Sequence, residues 1–345
     1  MWVIGCDYHP KFQQIAFVNT ETGEYGQQRL EHKAEAEQFY RGLAGQSVRV
    51  GVEATGYMMW FERLLAELGH ELWVGDPTKI RAAAPRKQKT DPRDAELILL
   101  LLIEQRFPRI WRPTAAERDI KQLVLHRHRL VQMRTRLKNQ LRAVALGEGM
   151  PRKPGLWSRE GQQQFRAWPL SGWTERRRQD NLELLDELIR RTQPLDQAVV
   201  AEADRRPEVR LLRTHPGVGS ILALAYVLVI GDPKRFANGK KVASYLGLIP
   251  AEDSSGGRQR LGHITKQGNA LLRGMLTEAA LTATRADADW RRTYTRLAMR
   301  KSRAIAVVAM ARRLAIRLWW MWISGLEYPR VLLSGLHAGQ ARTRQ

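Results

Sequence analysis

The sequence predicts an α/β fold for the N-terminal third of the chain and a mainly helical fold for the remainder. In the first third, the hydrophobic patterns follow one another in the order strand, strand, strand, helix, strand, helix, strand. This order favours a ribonuclease-H-like domain, because a doubly wound nucleotide-binding fold alternates strand and helix from its start. The glycine fingerprint of dinucleotide-binding folds is also missing from the sequence.

The predicted N-terminal domain covers residues 1–108, and its elements are separated by turn-forming residues such as Thr22-Gly23. A basic loop at 79–89 precedes one more helix that begins near Asp91, where Pro92 suits a first helical turn. The other predicted elements are strands at 3–8, 14–19, 24–30, 47–53 and 71–75, and helices at 32–43 and 58–68.

The middle of the chain, residues 109–205, predicts a basic helical hairpin. Apolar residues within 114–146 recur on a four-three repeat, in which Arg127 and Arg134 fill two positions, and this pattern is typical of a coiled-coil-like helix. Residues 147–172 contain three prolines and predict a loop-rich tip, and 182–200 predict a returning helix. Such a hairpin suits contacts with another protomer or with a nucleic-acid backbone, although a solvated face is the simpler explanation of any single arginine.

Charge is the strongest signal in the composition. The 345 residues include 57 Lys and Arg against 35 Asp and Glu, a formal net charge of +22. Such an excess suits a polyanion partner such as DNA or RNA, with a merely basic protein or an anionic membrane surface as alternatives. Membrane insertion is not expected, because no run of about 18 apolar residues occurs. The apolar C-terminal stretch is interrupted by Arg312, Arg313 and Arg317.

The compartment is predicted from cysteine usage and from the N-terminus. The single cysteine, Cys6, excludes an intrachain disulfide and a cysteine-based zinc cluster. The N-terminal residues lack a basic region followed by an apolar stretch, so no signal peptide is expected. Both observations favour a reducing, cytoplasmic compartment.

Four carboxylates stand where the predicted elements of the first domain end or begin. Asp7 ends the first strand, Glu53 ends the fourth, and Asp91 and Asp94 lie three residues apart at the start of a helix. Adjacent parallel strands end at the same edge of a sheet, so these side chains can converge, and four carboxylates in one pocket require hard cations such as Mg²⁺. Two such ions roughly 4 Å apart stabilise the attacking and leaving oxygens of a phosphodiester displacement. Taken singly, each carboxylate is explained as well by a helix cap, a turn or a solvated side chain.

The region 206–328 changes composition and contains a second set of candidate residues. His215-Pro216-Gly217-Val218-Gly219 precedes an apolar run and is similar to the hairpin of helix-hairpin-helix modules. There, small residues such as Gly217 and Gly219 let backbone N–H groups approach a phosphate. An ordinary tight turn is the alternative.

A Ser-Ser-Gly-Gly segment supplies a candidate nucleophile. Ser254 and Ser255 precede two glycines, and a serine hydroxyl held near a metal or a base can attack phosphorus. A flexible loop is the alternative, and it would be preferred on spacing alone. His263 could assist, although an isolated histidine is more often structural. The basic residues expected to gather phosphate are Arg258, Arg260, Lys266 and Arg273.

Seven motifs in order resemble those of one known family. They are Gly-x-Asp-x-His at 5–9, Glu-Ala-Thr-Gly at 53–56, Lys-Thr-Asp-x-x-Asp-Ala at 89–95, Pro-Gly-Val-Gly at 216–219, Tyr-Leu-Gly-Leu-x-Pro at 245–250, Ser-Ser-Gly-Gly at 254–257 and Ile-Thr-Lys-x-Gly-Asn at 264–269. Over nearly its whole length the chain resembles the insertion-sequence family 110 transposases and the related Piv-type DNA invertases.

The resemblance implies a RuvC-like DEDD domain with Asp7, Glu53, Asp91 and Asp94 as ligands of two Mg²⁺ ions, which Mn²⁺ could replace. It also implies a C-terminal transposase domain whose serine joins DNA through a 5′-phosphoserine. Ser255 fits this role better than Ser254, because the family motif keeps a serine directly before glycine.

The resemblance further implies partners and an assembly. The expected partners are element and target DNA and a structured non-coding bridge RNA, in a bacterial or archaeal cell. The expected oligomer is a dimer to tetramer, with the DEDD domain of one protomer and the serine of another forming one active site. Two other functions remain open at this point: a RuvC-like nuclease in which water attacks, and a non-catalytic nucleic-acid-binding protein. The tail at 329–345 is expected to be mobile.

Overall fold

The computed structural model describes residues 1–84, 90–150, 155–252 and 261–333. The chain divides into two compact units, residues 1–112 and 113–345. Within the described residues, no helix is both long and apolar enough to cross a membrane. The mixed α/β first unit and the helical second unit confirm the predicted fold class at that level. The division into four segments at 108, 205 and 328 stays a prediction.

The first unit is built on a five-stranded mixed sheet with the strand order β3-β2-β1-β4-β5. β1 pairs antiparallel with β2 and parallel with β4, and β4 pairs parallel with β5. The strands are β1 (Trp2–Tyr8), β2 (Phe12–Asn19), β3 (Tyr25–Glu31), β4 (Val48–Glu53) and β5 (Glu71–Gly75), and the helices are α1 (Glu35–Gly42), α2 (Met59–Glu67), α3 (Pro77–Ala82) and α4 (Asp91–Ile103).

The two faces of this sheet carry separate cores, because successive side chains of a strand point to opposite faces. Ile4 and Cys6 of β1 pack in the core that includes α1 and α2. Val3, two residues before Gly5, packs with α4 instead. A Cβ on Gly5 would lie closer than 3.0 Å to the backbone of α4. The glycine therefore lets α4 lie directly on the sheet.

The second unit is helical apart from a two-stranded hairpin. Its helices are α5 (Ala115–Gly147), α6 (Arg159–Ala167), α7 (Gly172–Asp204), α8 (Pro207–Leu212), α9 (Ser220–Ile230), α10 (Gly239–Tyr245), α11 (Ala270–Ala286), α12 (Ala288–Arg300), α13 (Arg303–Ser324) and α14 (Tyr328–Leu333), with a short 3₁₀ helix at Pro233–Arg235. The hairpin strands are β6 (Pro250–Glu252) and β7 (Leu261–Ile264), which pair antiparallel.

α5 and α7 form the predicted helical hairpin. Arg127, one of the two arginines in the apolar repeat of α5, donates a hydrogen bond to Asp196 of α7 at 2.7 Å. Residues 147–172 were predicted as a loop-rich tip, and the helix α6 that lies within this range was not predicted. Ser158 caps the first turn of α6, and Phe165 is buried at 1% exposure, so local capping and burial offset the prolines around the helix. α7 also begins ten residues earlier than predicted.

α9 is the central helix of the second unit. Every residue from 222 to 230 is buried, and its neighbours α11 and α13 complete one core. The hydroxyl of the buried Tyr226 donates a hydrogen bond to the Ala315 carbonyl at 2.7 Å, so this polar group has a partner inside the apolar core. This core supports the surfaces on α12 and α13.

Candidate metal centre

Asp7 and Glu53 occupy equivalent places at the ends of two adjacent parallel strands. Cys6 of β1 lies opposite Val52 of β4 in the last residue pair between these two strands, and each carboxylate directly follows its member of that pair. The strand period of two places Asp7 on the same face as Gly5. Glu53 shares the face of Gly51 in the same way. That face is the one covered by α4.

The first turn of α4 brings further carboxylates to the same edge. Asp91 lies one helical turn before Ala95. The Ala95 carbonyl can pack against β1 only because Gly5 has no Cβ. The backbone of Thr90 is extended, and Pro92 occupies the first turn, so the helix starts at this point. Close packing at Gly5 therefore carries Asp91 towards Asp7.

Asp7, His9 and Asp91 form a cluster that could hold a metal ion. One ligand atom from each lies within 4.8 Å of the other two. The His9 Nε2 atom is 3.0 Å from one carboxylate oxygen of Asp7 and 3.6 Å from one of Asp91. His9 also stacks on Phe12, with ring centroids 4.6 Å apart, which fixes the plane of the imidazole.

The electrostatics of Asp7 reflect this crowding. Burial raises the pKa of the Asp7 carboxyl above its ordinary value, and the charge of His9 and its hydrogen bond oppose that rise. The negative charges of Asp94 and Asp91 raise the pKa of Asp7 further. Carboxylates that disfavour one another's ionised form are stabilised by a divalent cation, and oxygen donors are the ligands that Mg²⁺ and Mn²⁺ prefer. The donor set therefore fits such an ion.

The four predicted carboxylates differ in where the structure places them. Asp7 and Asp91 come together, and Asp94 lies near enough for its charge to act on Asp7. Glu53 stands at the end of the neighbouring strand and is not part of the cluster of ligand atoms within 4.8 Å. His9 was not predicted as a site residue. Its signal was present, because it follows Asp7 by two positions, and extended chain places such residues on one face.

The predicted phosphate-binding turn lies between α8 and α9. Gly217 has φ +84°, and a Cβ there would lie 2.6 Å from the Ala279 carbonyl of α11. Close packing against α11 therefore accounts for this glycine. Gly219 precedes α9, and a Cβ there would meet nothing within 4 Å. Phosphate contact by either glycine stays a prediction.

The neighbouring His215 belongs to a buried polar cluster. Its Nδ1 atom donates to the Pro216 carbonyl at 2.7 Å, and its ring packs on Trp290 and Tyr328 with centroids 5.1 and 4.3 Å away. Burial lowers the pKa of His215 to about 4, so the ring is neutral at physiological pH. The cluster ties α14 to the turn before α9.

The predicted serine loop joins β6 to β7. Ser254, Ser255, Arg258 and Arg260 lie outside the described residues. His263 in β7 and Lys266 just after this strand are described, and both are exposed.

The base of this hairpin explains two of the sequence motifs. Gly247 and Gly268 have φ +66° and +71°, and a Cβ on either would lie closer than 3.0 Å to backbone of the other motif. Arg273 donates hydrogen bonds to the carbonyls of Leu246 and Gln267, the first at 3.3 Å. Arg273 thus holds the two motifs together, and its predicted phosphate contact stays a prediction.

Comparison with known proteins supplies the family. The model for the DEDD domain of IS110 transposases, described as "Transposase", matches residues 4–150. The model described as "Transposase IS116/IS110/IS902 family" matches residues 209–296. The first match contains all four predicted carboxylates, and the second contains the β6–β7 hairpin.

Individual relatives are similar over most of their lengths. A "Probable family 20 transposase" of Pseudomonas aeruginosa is 28% identical over 334 residues, which cover 92% of this chain and 95% of that protein. The "Transposase for insertion sequence element IS1111A" of Coxiella burnetii is 26% identical over 291 residues, which cover 81% of this chain and 76% of that protein. The two family matches and these full-length similarities agree with the resemblance carried by the seven motifs. The chain belongs to the IS110 family of transposases, enzymes that cleave and rejoin DNA.

Proposed function

We propose that this transposase exchanges DNA strands through a covalent 5′-phosphoserine on Ser255, supported by divalent ions at the DEDD carboxylates. The observation that carries the proposal is the meeting of Asp7 and Asp91 at the carboxyl edge of the five-stranded mixed sheet, with Asp94 close enough for its charge to act on Asp7. A carboxylate cluster of this kind is costly without cations and is typical of metal-dependent phosphodiester chemistry.

The carboxylates would hold the ions, which we propose to be two Mg²⁺, with Mn²⁺ as a substitute. Asp7 and Asp91 are the first candidates for a shared ion, and Asp94 and Glu53 complete the proposed ligand set. When bound, the ions supply positive charge to the attacking and leaving oxygens of a phosphodiester displacement. His9 would hold the Asp7 carboxylate in place through its hydrogen bond at 3.0 Å.

The serine step conserves the phosphodiester bond energy. The Ser255 hydroxyl loses its proton and its oxygen attacks phosphorus, while the bond from phosphorus to the 3′-oxygen of the neighbouring nucleotide breaks. That oxygen takes a proton and leaves as a 3′-hydroxyl, and the 5′-phosphate stays on the serine. In the second step, the 3′-hydroxyl of the exchanged strand attacks the phosphoserine, and Ser255 regains its proton.

The partners of the proposed reaction are element and target DNA, a bridge RNA and further copies of this chain. The net charge of +22 supports a nucleic-acid partner without distinguishing DNA from RNA. Sequencing of nucleic acid that copurifies with the chain tests the RNA. Mixing Asp7→Ala with Ser255→Ala tests the assembly, because a site shared between protomers would restore strand exchange.

The experiment that tests the serine step is adduct trapping on a nicked substrate. DNA labelled on the 5′-phosphate side of the cleavage site should become covalently joined to the wild-type chain in Mg²⁺, and Ser255→Ala should abolish the adduct. Ser254→Ala is the matched control and should retain it. Asp7→Asn should lose both adduct and cleavage. Cleavage by Ser255→Ala at the wild-type rate would instead establish the water-dependent nuclease.

A further inference from the structure

A large groove in the second unit has no assigned role. Its volume is about 1810 Å³, which exceeds the usual range of small-molecule sites. α12 and α13 form its base and one side, and the β6–β7 hairpin and the start of α10 form the other side. The groove does not include the carboxylate cluster, which belongs to the other unit.

One face of α13 runs along the whole groove. Its contributing residues follow helical spacing from Ile305 through Val308, Arg312 and Ile316 to Trp320. Fifteen residues of helix extend about 22 Å, so the groove is an elongated channel and not a compact pocket. Ile305, at one end of this face, is 56% exposed and is therefore accessible to a ligand in the groove.

The charge of the groove is of one sign. Lys240 and Lys266 stand on the hairpin side, and no Asp or Glu is among the described residues that line it. α12 and α13 contribute the remaining five positive side chains, Arg296, Arg300, Arg312, Arg313 and Arg317.

The groove arginines differ from arginines elsewhere in the same unit. Arg127, Arg166 and Arg213 each form an ion pair with an aspartate. Among the ion pairs found in the described part of the chain, none involves a Lys or Arg of the groove. On α12 itself, Arg292 is not among the residues that line the groove, and it pairs with Asp289 at 3.1 Å. Arg317 is an exception in part, because its guanidinium lies over the Tyr328 ring and feels the negative charge of Asp287. The other six positive side chains of the groove have no acidic partner among the ion pairs of the described chain.

We propose that this groove binds one unpaired nucleic-acid strand, with phosphates on the arginines and base faces on the apolar side chains of α13. Uncompensated positive charge selects a polyanion. A duplex offers mainly phosphate and sugar to a protein surface, whereas an unpaired strand also exposes the faces of its bases, which stack on apolar and aromatic side chains. Ile305, Val308 and Trp320 alternate with arginines along α13, which matches the alternating bases and phosphates of an unpaired strand.

The position of the groove connects it with the proposed chemistry. Gly262, His263 and Ile264 of the hairpin line the groove, and the hairpin's connecting residues, 253–260, include Ser255. A strand held along α13 would thus lie beside the hairpin that carries the proposed nucleophile. This functional meaning rests on the proposed function, whereas strand binding itself does not.

The test measures strand binding without metal. Fluorescence anisotropy in EDTA would compare the wild-type chain with the double variant Arg296→Gln/Arg300→Gln on a 20-nucleotide DNA strand, the same sequence in RNA, and the duplex. Loss of two phosphate contacts should make the salt slope shallower by about 1.4 and weaken strand binding about 25-fold at 0.1 M salt. Arg292→Gln is the control, because Arg292 lies outside the groove lining and is already paired with Asp289, and it should bind like the wild type.

Two further measurements guard against binding at other basic surfaces. Ile305→Ser should weaken binding of the single strand and leave duplex binding unchanged. A strand carrying 5-iodouracil should cross-link to α12 or α13 in the wild-type chain and lose that cross-link in the double variant. Comparison of the DNA and RNA strands identifies which nucleic acid occupies the groove.

The outcomes separate this inference from the proposed function. Equal affinity and an equal salt slope for the double variant and Arg292→Gln would overturn the groove, even if the Ser255 adduct forms normally. Cross-links that fall only outside α12 and α13 would overturn it as well. Loss of strand binding in the double variant, together with full recombination by Ser255→Ala, would keep the groove and refute the serine mechanism.

Discussion

Gly5→Ala should both destabilise the first unit and weaken its metal binding. The new methyl group would lie closer than 3.0 Å to the Ala95 carbonyl oxygen and the Leu99 amide nitrogen, where ordinary contact begins at 3.4 Å. Both are backbone atoms, so α4 as a whole must shift by at least 0.4 Å. Overpacking of this kind costs about 1–3 kcal/mol, and a backbone clash favours the upper end. A loss of about 3 kcal/mol lowers the melting temperature of a domain this size by about 10–20 °C.

The same shift moves Asp91 away from Asp7. Misplacing a ligand through its support commonly costs about 10–100-fold in metal affinity, so Mn²⁺ binding should weaken by that factor. Gly42→Ala is the control, because a Cβ at this position of α1 would meet nothing within 4 Å. Calorimetric melting and Mn²⁺ titration of the full chain measure both effects. A Gly5→Ala chain that melts within about 2 °C of the wild type and binds Mn²⁺ equally well would refute the packing argument.

Three further predictions concern the second unit. Gly268→Ala should lower the free energy of unfolding by about 3 kcal/mol, because φ is +71° and the methyl group would meet the Tyr245 carbonyl. Urea unfolding measures this loss. Gly262→Ala is the control and should be nearly neutral, because the nearest atom to its methyl group would be 3.7 Å away. Because burial lowers the pKa of His215 to about 4, the ring binds a proton near pH 6.5 only in the unfolded chain. The free energy of unfolding should therefore be complete above pH 6.5 and fall by about 3 kcal/mol as the pH drops towards 4. His215→Phe should flatten this part of the stability–pH curve, and an unchanged slope would contradict the assignment. Arg178→Met should cost about 3 kcal/mol, because the buried guanidinium donates at 2.6 Å to two carbonyls at the end of α6, and equal stability would show that those carbonyls find other donors.

The sequence was most informative where local pattern and burial agree. The strands of the first unit lie within two residues of their predicted bounds. The alternation of apolar and polar residues marks each strand, and the turn-forming residues beside it mark the same ends. The carboxylates at strand ends were identifiable for the same reason. Their placement at one edge of the sheet could be predicted from a parallel pairing of β1 with β4.

Contacts between distant residues were not readable from the sequence. In the sequence, Arg127 occupies a position of an otherwise apolar repeat, and its partner Asp196 lies 69 residues further along the chain. Arg273 was predicted as a phosphate contact, which stays a prediction, but nothing in the sequence indicated that its Nη1 atom donates to main-chain carbonyls of two motifs and holds them together. Only the three-dimensional packing identifies such partners.

The groove on α13 shows the same limit. In the sequence, Arg312, Arg313 and Arg317 interrupt an apolar stretch and exclude a membrane helix. In the structure, these arginines line one side of α13 with no acidic partner among the described residues of the groove. The helical period gives that stripe, but whether it meets core, partner or solvent depends on where α12 and the hairpin pack.

The central claim is that Asp7 and Asp91 hold a divalent ion at the carboxyl edge of the sheet. Anomalous diffraction from crystals of the full chain grown in Mn²⁺ tests this claim most directly. We expect an anomalous peak within bonding distance of both carboxylates, and its loss in Asp7→Asn but not in Asp289→Asn, an exposed carboxylate of the second unit. Absence of any peak at this edge, under conditions in which Mn²⁺ supports strand exchange by the same preparation, would contradict the account.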